Sequence, residues 1–450
     1  MLFIKIQISN QATISSKAIK QLQMQMQLNE LQQVAFDAFF RGENLFIAGS
    51  AGTGKSYALM QICKHAAQMR PPKSIKLGLT ATTGSASHLV GGRTVHSFLG
   101  IGLAKGTAAQ LASNLMAKNK ACYNKLKKLD VLLIEEVSML DEGLFDKISD
   151  YLSIIRKNPK PFGGLQLIVL GDFCQLPPVK GEYCFKSAVW RSMGFTTVRL
   201  TKLIRQHDDP AFQEILESVR WGKCDEKILK TLKSWMLDAN SGSDNSSNRD
   251  SSDSNGNSNK VKPTRLYPTN ANVDIINSDE YERLIDDDTV ERQAYDTTYG
   301  SPAARLWANS SKVPVQVRLC VGAQVVVTWN VNQAMGIVNG SRGCITGLDD
   351  RGVTIQDVKG RTIRIEYVTI TDNNLSVSYM PLKLAYALTI HRCQGMTLDS
   401  VEIDLGSSIF EYGQAYTALS RARNSHSVRL IDVEAASFKC HPDVIKFYER

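Results

Sequence analysis

The chain predicts an α/β fold of two parallel-sheet lobes, the second interrupted by a small β insert. Three observations carry that reading. Gly49 to Ser56 spells G-x-x-x-x-G-K-S, with the apolar run 45–48 before it and the helix-forming stretch 57–67 after it. Further apolar runs at 75–80, 131–134, 165–170 and 197–200 alternate with helical stretches, the pattern of parallel strands joined by crossover helices. Past residue 264 the alternation resumes, but between 323 and 370 it gives way to short β-branched runs separated by Gly or Asp turns, as in a small barrel.

The glycine loop is the strongest local signal. A strand, a glycine turn and a helix N-terminus present backbone N–H groups to an anion, so residues Gly49, Ser50, Ala51, Gly52, Thr53, Gly54, Lys55 and Ser56 are expected to cradle the phosphates of a nucleotide. Lys55 would reach the terminal phosphates and the Ser56 hydroxyl would hold Mg²⁺. The run 131–134 ends in Glu135-Glu136, two carboxylates delivered to the C-terminal edge of the same sheet. Glu135 is expected to anchor the metal and Glu136 to activate the attacking water. The run 165–170 leads into G-D-F-C-Q-L-P-P, where Gln175 is placed to bridge the γ-phosphate and that water. Arg205 and Arg421 are candidates to stabilise charge on a transferring phosphoryl group, set against the plain alternative of solvated surface arginines.

Composition narrows the partner. The 450 residues carry 53 Lys+Arg against 44 Asp+Glu, a formal +9, which favours a polyanion. Nine scattered cysteines without a C-x-x-C pair favour a reduced, intracellular protein. No apolar run approaches the ~20 residues of a membrane span, so no membrane partner is expected. Residues 1–27 are expected to be a flexible N-terminus. The first 29 positions lack Asp and Glu, as transit segments do, but they also lack Arg. Residues 239–260, almost entirely Ser, Asn, Asp and Gly, are expected to form a disordered insertion, since they hold too little apolar surface to offset the entropy of ordering.

Taken together, the loop at 49–56, T-A-T-T-G-S-A at 80–86, G-R-T-V-H-S-F at 92–98, L-L-I-E-E-V-S-M at 132–139, G-D-F-C-Q-L-P-P-V at 171–179, I-R-Q at 204–206, Y-A-L-T-I-H-R-C-Q-G-M-T-L-D at 386–399 and G-Q-A-Y-T-A-L-S-R-A-R at 413–423 resemble the petite-integration-frequency (Pif) DNA helicases. The segment 144–148, continuing to Arg156, resembles that family's signature helix. The resemblance implies a P-loop NTPase of two RecA-like lobes. Lobe one would take 28–200, with a small wedge insert at about 100–125. Lobe two would take 201–238, 261–346 and 379–450, with an SH3-like β subdomain at 347–378. It implies an ATP-dependent, Mg²⁺-using motor that moves 5′-to-3′ on single-stranded DNA and opens forked duplex as a monomer. Such a motor would serve replication, repair, recombination or telomere maintenance in the nucleus, the mitochondrion or both.

By the same resemblance Gln32 would read the adenine edge, and Arg205 and Arg421 would be the γ-phosphate arginines, from lobe two. Thr80, Thr82, His96, Phe98, Thr389, His391, Gln394, Gln414 and Arg423 would line the DNA track. Phe98 is open between stacking a base and packing in the core, and the lysines at 118, 120, 125, 127 and 128 between a duplex wedge and a solvated helix face. Two positions depart from the family: Glu135 stands where Asp is usual, and Arg392 where Lys is common. The longer Glu135 arm motivates an alternative, a nucleotide-switched DNA-remodelling ATPase without unwinding. An RNA-directed motor is a third reading, because no motif distinguishes the two nucleic acids.

Overall fold

The computed structural model describes residues 28–68, 74–236, 261–286, 289–310, 313–329, 331–332, 337, 340–372 and 375–449. The expected N-terminal segment 1–27 and the insertion at 239–260 lie outside the described residues.

The first lobe is built on six parallel strands: β1 (Leu45–Gly49), β2 (Leu77–Ala81), β3 (Arg93–Thr94), β4 (Val131–Glu135), β5 (Gln166–Gly171) and β6 (Thr196–Leu200), in the order β3-β2-β4-β5-β1-β6. β1 and β4 are buried along their whole length, which is why their sequences are unbroken apolar runs rather than alternating ones. All six strands run the same way, so the turns after β1, β4, β5 and β6 open on one edge of the sheet. That edge holds the chemistry-bearing residues.

Helix Glu142–Arg156 closes one face of the lobe. Phe145, Ile148, Ser149, Tyr151, Leu152 and Ile155 are buried at helical spacing, and the Asp141 carboxylate caps its start by accepting from the Leu144 N–H. In the region expected to hold a wedge, helices Ala108–Lys118 and Lys120–Lys127 pack against this helix. The five lysines at 118–128 face solvent.

The second lobe has four parallel strands in the order Ala387–Thr389, Thr264–Tyr267, Val401–Leu405, Val428–Val433. Its β insert is larger than the 347–378 unit expected. Strands Gln324–Val327, Arg342–Asp349, Gly352–Asp357, Thr362–Glu366 and Leu382–Leu384 form one antiparallel sheet, with smaller ladders beside it that begin at Arg292. Strand-like runs between 292 and 320 were missed because they are short and half polar.

The chain end also departs from expectation. Helix Pro442–Tyr448, assigned by sequence to lobe two, returns to lobe one. Phe447 stacks on Phe185 with centroids 4.4 Å apart and touches Phe46, Phe173 and Trp190. Aromatic area of that kind decides where a short helix docks, and it makes one apolar core continuous across both lobes.

Candidate nucleotide and nucleic-acid site

The loop after β1 adopts positive φ at Gly52 (87°) and Gly54 (83°), a conformation that glycine reaches without strain. Neighbours fill the space where side chains would stand. A Cβ on Gly52 would lie 2.8 Å from the Arg205 Cβ, and one on Gly54 would lie 2.8 Å from both the Gln32 amide nitrogen and the Ile204 Cδ1. The connector after β6 is thus pressed onto the loop, and the Ile204 and Arg205 N–H groups both donate to the Gly52 carbonyl, at 2.9 and 3.2 Å. Arg205 is therefore positioned by the loop itself rather than carried in by the second lobe, as the sequence reading had it.

Lys55 folds its ammonium onto the loop, donating to the Gly49 and Ser50 carbonyls at 2.7 and 3.0 Å. Burial lowers its pKa, against the pull of Asp172, Glu136 and Glu135. Ser56 donates a short hydrogen bond to Glu135 Oε1 across the loop. The longer arm of Glu135 thus reaches the P-loop hydroxyl. Burial, and next the charge of Glu136, push the Glu135 carboxyl up to about 7 even though Ser56 and Lys55 pull it down. Two adjacent carboxylates and a hydroxyl are hard oxygen donors whose mutual repulsion a small cation relieves, so the set fits Mg²⁺.

Glu136 is bent out of the strand in a left-handed conformation, φ 54° and ψ 46°. Thr82 donates from its N–H to the Glu135 carbonyl and from its hydroxyl to the Glu136 carbonyl, while the Gln394 amide donates to Glu136 Oε2 at 3.1 Å. The candidate general base is thus touched by Thr82 and Gln394, one residue from each of two expected DNA-track segments.

Arg421 is 1% exposed. Its guanidinium donates to the Thr417 carbonyl, the Ser420 hydroxyl and the Met396 carbonyl, at 2.9, 2.8 and 3.3 Å. Arg205 Nη1 donates to the Ser420 carbonyl at 2.7 Å. Among the described residues neither guanidinium has a carboxylate partner; burial, then the charge of Arg421, lower the Arg205 pKa. Enclosed cations without a counter-ion beside a phosphate-cradling loop are what an anion would stabilise.

The expected contact residues are placed as follows. Gln32 is 2% exposed, and its amide is spent: Oε1 accepts from the Asn29 N–H in a capping box and Nε2 donates to the Gly54 carbonyl, so it braces the loop. Thr80, 1% exposed, gives its hydroxyl to the Leu133 carbonyl inside the sheet. Phe98 lies in the core under Lys125, whose ammonium sits 3.9 Å from the ring centroid, so the packing alternative holds. Thr389 is the buried N-cap of helix Ile390–Cys393. Gln414 is fully enclosed, accepting from the Phe410 and Glu411 N–H groups. Gln394 also lies inside, but it faces Glu136. Thr82, His96 and His391 are half-buried. Arg423 is exposed and paired with Asp399 at 3.2 Å. Gln175 is 2% exposed, and among the described residues its Oε1 has no hydrogen-bond partner.

Sequence reasoning missed the pair at the centre of the interface. Asp172, fully buried, meets Arg220 through two bonds of 3.0 Å and also accepts from the hydroxyl of Tyr416. The G-D of 171–172 was in view, but nothing local marks Arg220 or Tyr416 as its partners.

Comparison with known proteins follows the same lines. A family model described as PIF1-like helicase matches residues 27–247, and one for the DNA helicase Pif1 2B domain matches 309–348. The ATP-dependent DNA helicase PIF1 of Homo sapiens is 34% identical over 94% of this chain, which spans 63% of the human protein. The ATP-dependent DNA helicase Pif1 of Bdellovibrio bacteriovorus is 32% identical over 95% of this chain and 92% of its own. Among solved structures, the Bacteroides Pif1 helicase in complex with ADP-AlF3 and ssDNA superposes with a TM-score of 0.66 at 26% identity, covering 94% of this chain and 97% of that one.

Proposed function

The chain belongs to the PIF1-like helicase family, and on that premise we propose that it is an ATP-dependent 5′-to-3′ DNA helicase that moves on single-stranded DNA and opens forked duplex. One observation supports this above the others: two enclosed arginines, neither with a carboxylate partner among the described residues, meet at the Ser420 turn, and Arg205 lies against the glycine loop within the field of Glu136.

Each group has a role that its position supports. The loop amides and Lys55 hold the phosphates of ATP. Ser56 and Glu135 would hold magnesium, which neutralises charge on the phosphate oxygens. Glu136 takes the proton of the attacking water. Arg205 and Arg421 meet the charge that builds on the γ-phosphoryl group, a contribution worth ~10³–10⁵ in rate in comparable enzymes. Gln175, buried with an unspent oxygen, is placed to orient that water. Closing and reopening of the junction would then ratchet the lobes along the strand. Thr82 and Gln394, both bonded to Glu136, connect hydrolysis to the segments expected to touch DNA. The half-buried His96 and His391 and the exposed Arg423 are the surface contacts proposed for that strand. Phosphate contacts of this kind are sequence-independent and salt-sensitive. An intracellular setting, in nucleus or mitochondrion, goes with this role in genome maintenance.

Unwinding of partial duplexes with 5′ or 3′ tails, in DNA and in RNA, with and without ATP, tests the reading. Opening of 5′-tailed DNA alone is expected. ATP hydrolysis without opening would replace it with a nucleotide-switched remodeller.

A further inference from the structure

The P-loop makes a direct hydrogen bond to helix Gln414–Leu419 of the second lobe that no step above uses. The Ala51 N–H donates to the Tyr416 hydroxyl at 2.9 Å, and that hydroxyl donates its own proton to Asp172 Oδ2 at 3.1 Å. Tyr416 is 2% exposed. A phenol has one proton to give, so committing it to Asp172 fixes which way its lone pairs face, and they face the Ala51 amide.

Asp172 is itself immobilised. Arg220 holds both of its oxygens at 3.0 Å, and the Cys174 N–H and the Tyr448 hydroxyl approach Oδ1 at 3.2 and 3.5 Å. The helix that bears Tyr416, Gln414–Leu419, is seated on the same loop. At its N-cap Gly413 (φ 68°), a Cβ would stand 2.4 and 2.5 Å from the Cys174 and Gln175 carbonyls. Arg421 follows five residues later, and its guanidinium is tied back to the Thr417 carbonyl and the Ser420 hydroxyl of that turn. The Ser420 carbonyl in turn receives Arg205. A shift of Tyr416 therefore moves the turn that carries Arg421 and disturbs its contact with Arg205, whose backbone is held by the P-loop.

We propose that Tyr416 is a positioning residue for ATP hydrolysis, its hydroxyl setting the register between the nucleotide loop and the turn that carries Arg421. This rests on reading the chain as an ATPase. Tyr416→Phe keeps the ring and removes only the hydroxyl, leaving the Ala51 N–H and Asp172 Oδ2 each short of one partner.

For Tyr416→Phe, DNA-stimulated kcat is expected to fall about tenfold, the scale of one lost hydrogen bond to a charged group, while ADP affinity holds and the melting temperature falls modestly, as unpaired buried groups dictate. Amide hydrogen exchange of the peptide spanning 49–56 should quicken. If the hydroxyl acts through Arg421, Tyr416→Phe combined with Arg421→Lys should turn over no more slowly than Arg421→Lys alone. Unchanged kcat or unchanged exchange in Tyr416→Phe would overturn the inference, and so would independent, multiplying losses in the double variant. A loss of ADP affinity as large as the loss of kcat would also overturn it, by making the hydroxyl a general structural contact. An unmodified chain that fails to hydrolyse ATP would instead sink the ATPase reading. The exchange measurement on 49–56 would still report whether the hydroxyl holds the loop.

Discussion

Replacing Arg220 by Met isolates the buried charge pair on which the lobe junction is built. The Asp172 carboxylate is fully enclosed and the Arg220 side chain is 6% exposed, so neither charge has solvent to fall back on. With Arg220 gone, Asp172 keeps one backbone N–H and two phenol hydroxyls but no bonded cation. An ion stranded in this way costs ~3–5 kcal/mol, whereas replacing both members of such a pair by uncharged groups is close to neutral. Asp172→Asn alone should therefore also destabilise strongly, and Asp172→Asn with Arg220→Met should recover most of the loss. Urea unfolding followed by tryptophan fluorescence suits the measurement, because Trp221 packs 4.7 Å from the Arg220 guanidinium.

The pH dependence should change sign as well. In the unmodified chain burial opposes the Asp172 charge, but Arg220 outweighs it and the carboxyl sits below its ordinary value. Its stabilisation is thus present above the unfolded pKa of roughly 3.9 and is lost as pH falls through the folded value. In Arg220→Met burial is opposed only by the charge of Lys55 and the Cys174 N–H, the two smallest of the opposing influences, and the folded pKa is expected to rise above the unfolded one. Stability is then present in acid and lost as pH climbs, so the gap between the two proteins should widen from about pH 4 to pH 7. Additive single-variant losses, or a gap that stays constant with pH, would refute the argument.

Glu136→Gln should lower ATP turnover by about 10²–10⁴, the usual worth of a general base, while a fluorescent ATP analogue still binds; retained turnover would remove Glu136 from that role. Glu135→Asp should leave magnesium-dependent hydrolysis within about tenfold of the natural chain, since Glu135 already reaches Ser56, and restoration of activity from none would mark a degenerate helicase instead. Phe98→Ala should cost about 3–5 kcal/mol in urea unfolding, as core aromatics do, and leave single-strand DNA affinity within a few-fold at fixed salt; the reverse outcome would restore the stacking role.

What could be read from the sequence was local. The glycine loop and the strands that position it lie within a few residues of the runs that announced them, because a buried parallel strand and a phosphate loop are each specified by contiguous residues. Which side chains lie inward at a strand end or a motif helix was not legible. Thr80, Gln394 and Gln414 are polar residues in motif segments, and only the fold shows that each is enclosed and hydrogen-bonded inside the protein. The Asp172–Arg220–Tyr416 cluster was out of reach for another reason. Its members lie 48 and 244 residues from Asp172, and no periodicity connects positions so far apart.

The two adjacent glutamates show how the fold divides one motif into two tasks. Successive residues of a strand point to opposite faces, so an extended Glu136 would turn away from Glu135 and from the loop. The chain instead places Glu136 in the left-handed region, at a cost of roughly 1–2 kcal/mol for a residue with a Cβ. Strain of that size persists where the surroundings over-determine it, and here Thr82 holds the Glu136 carbonyl while Gln394 holds its carboxylate. Glu135 is left facing Ser56 and the metal position, and Glu136 faces the junction between the lobes. Thr82 belongs to the first lobe and Gln394 to the second, so a change in their separation must be felt at the carboxylate that would take the proton.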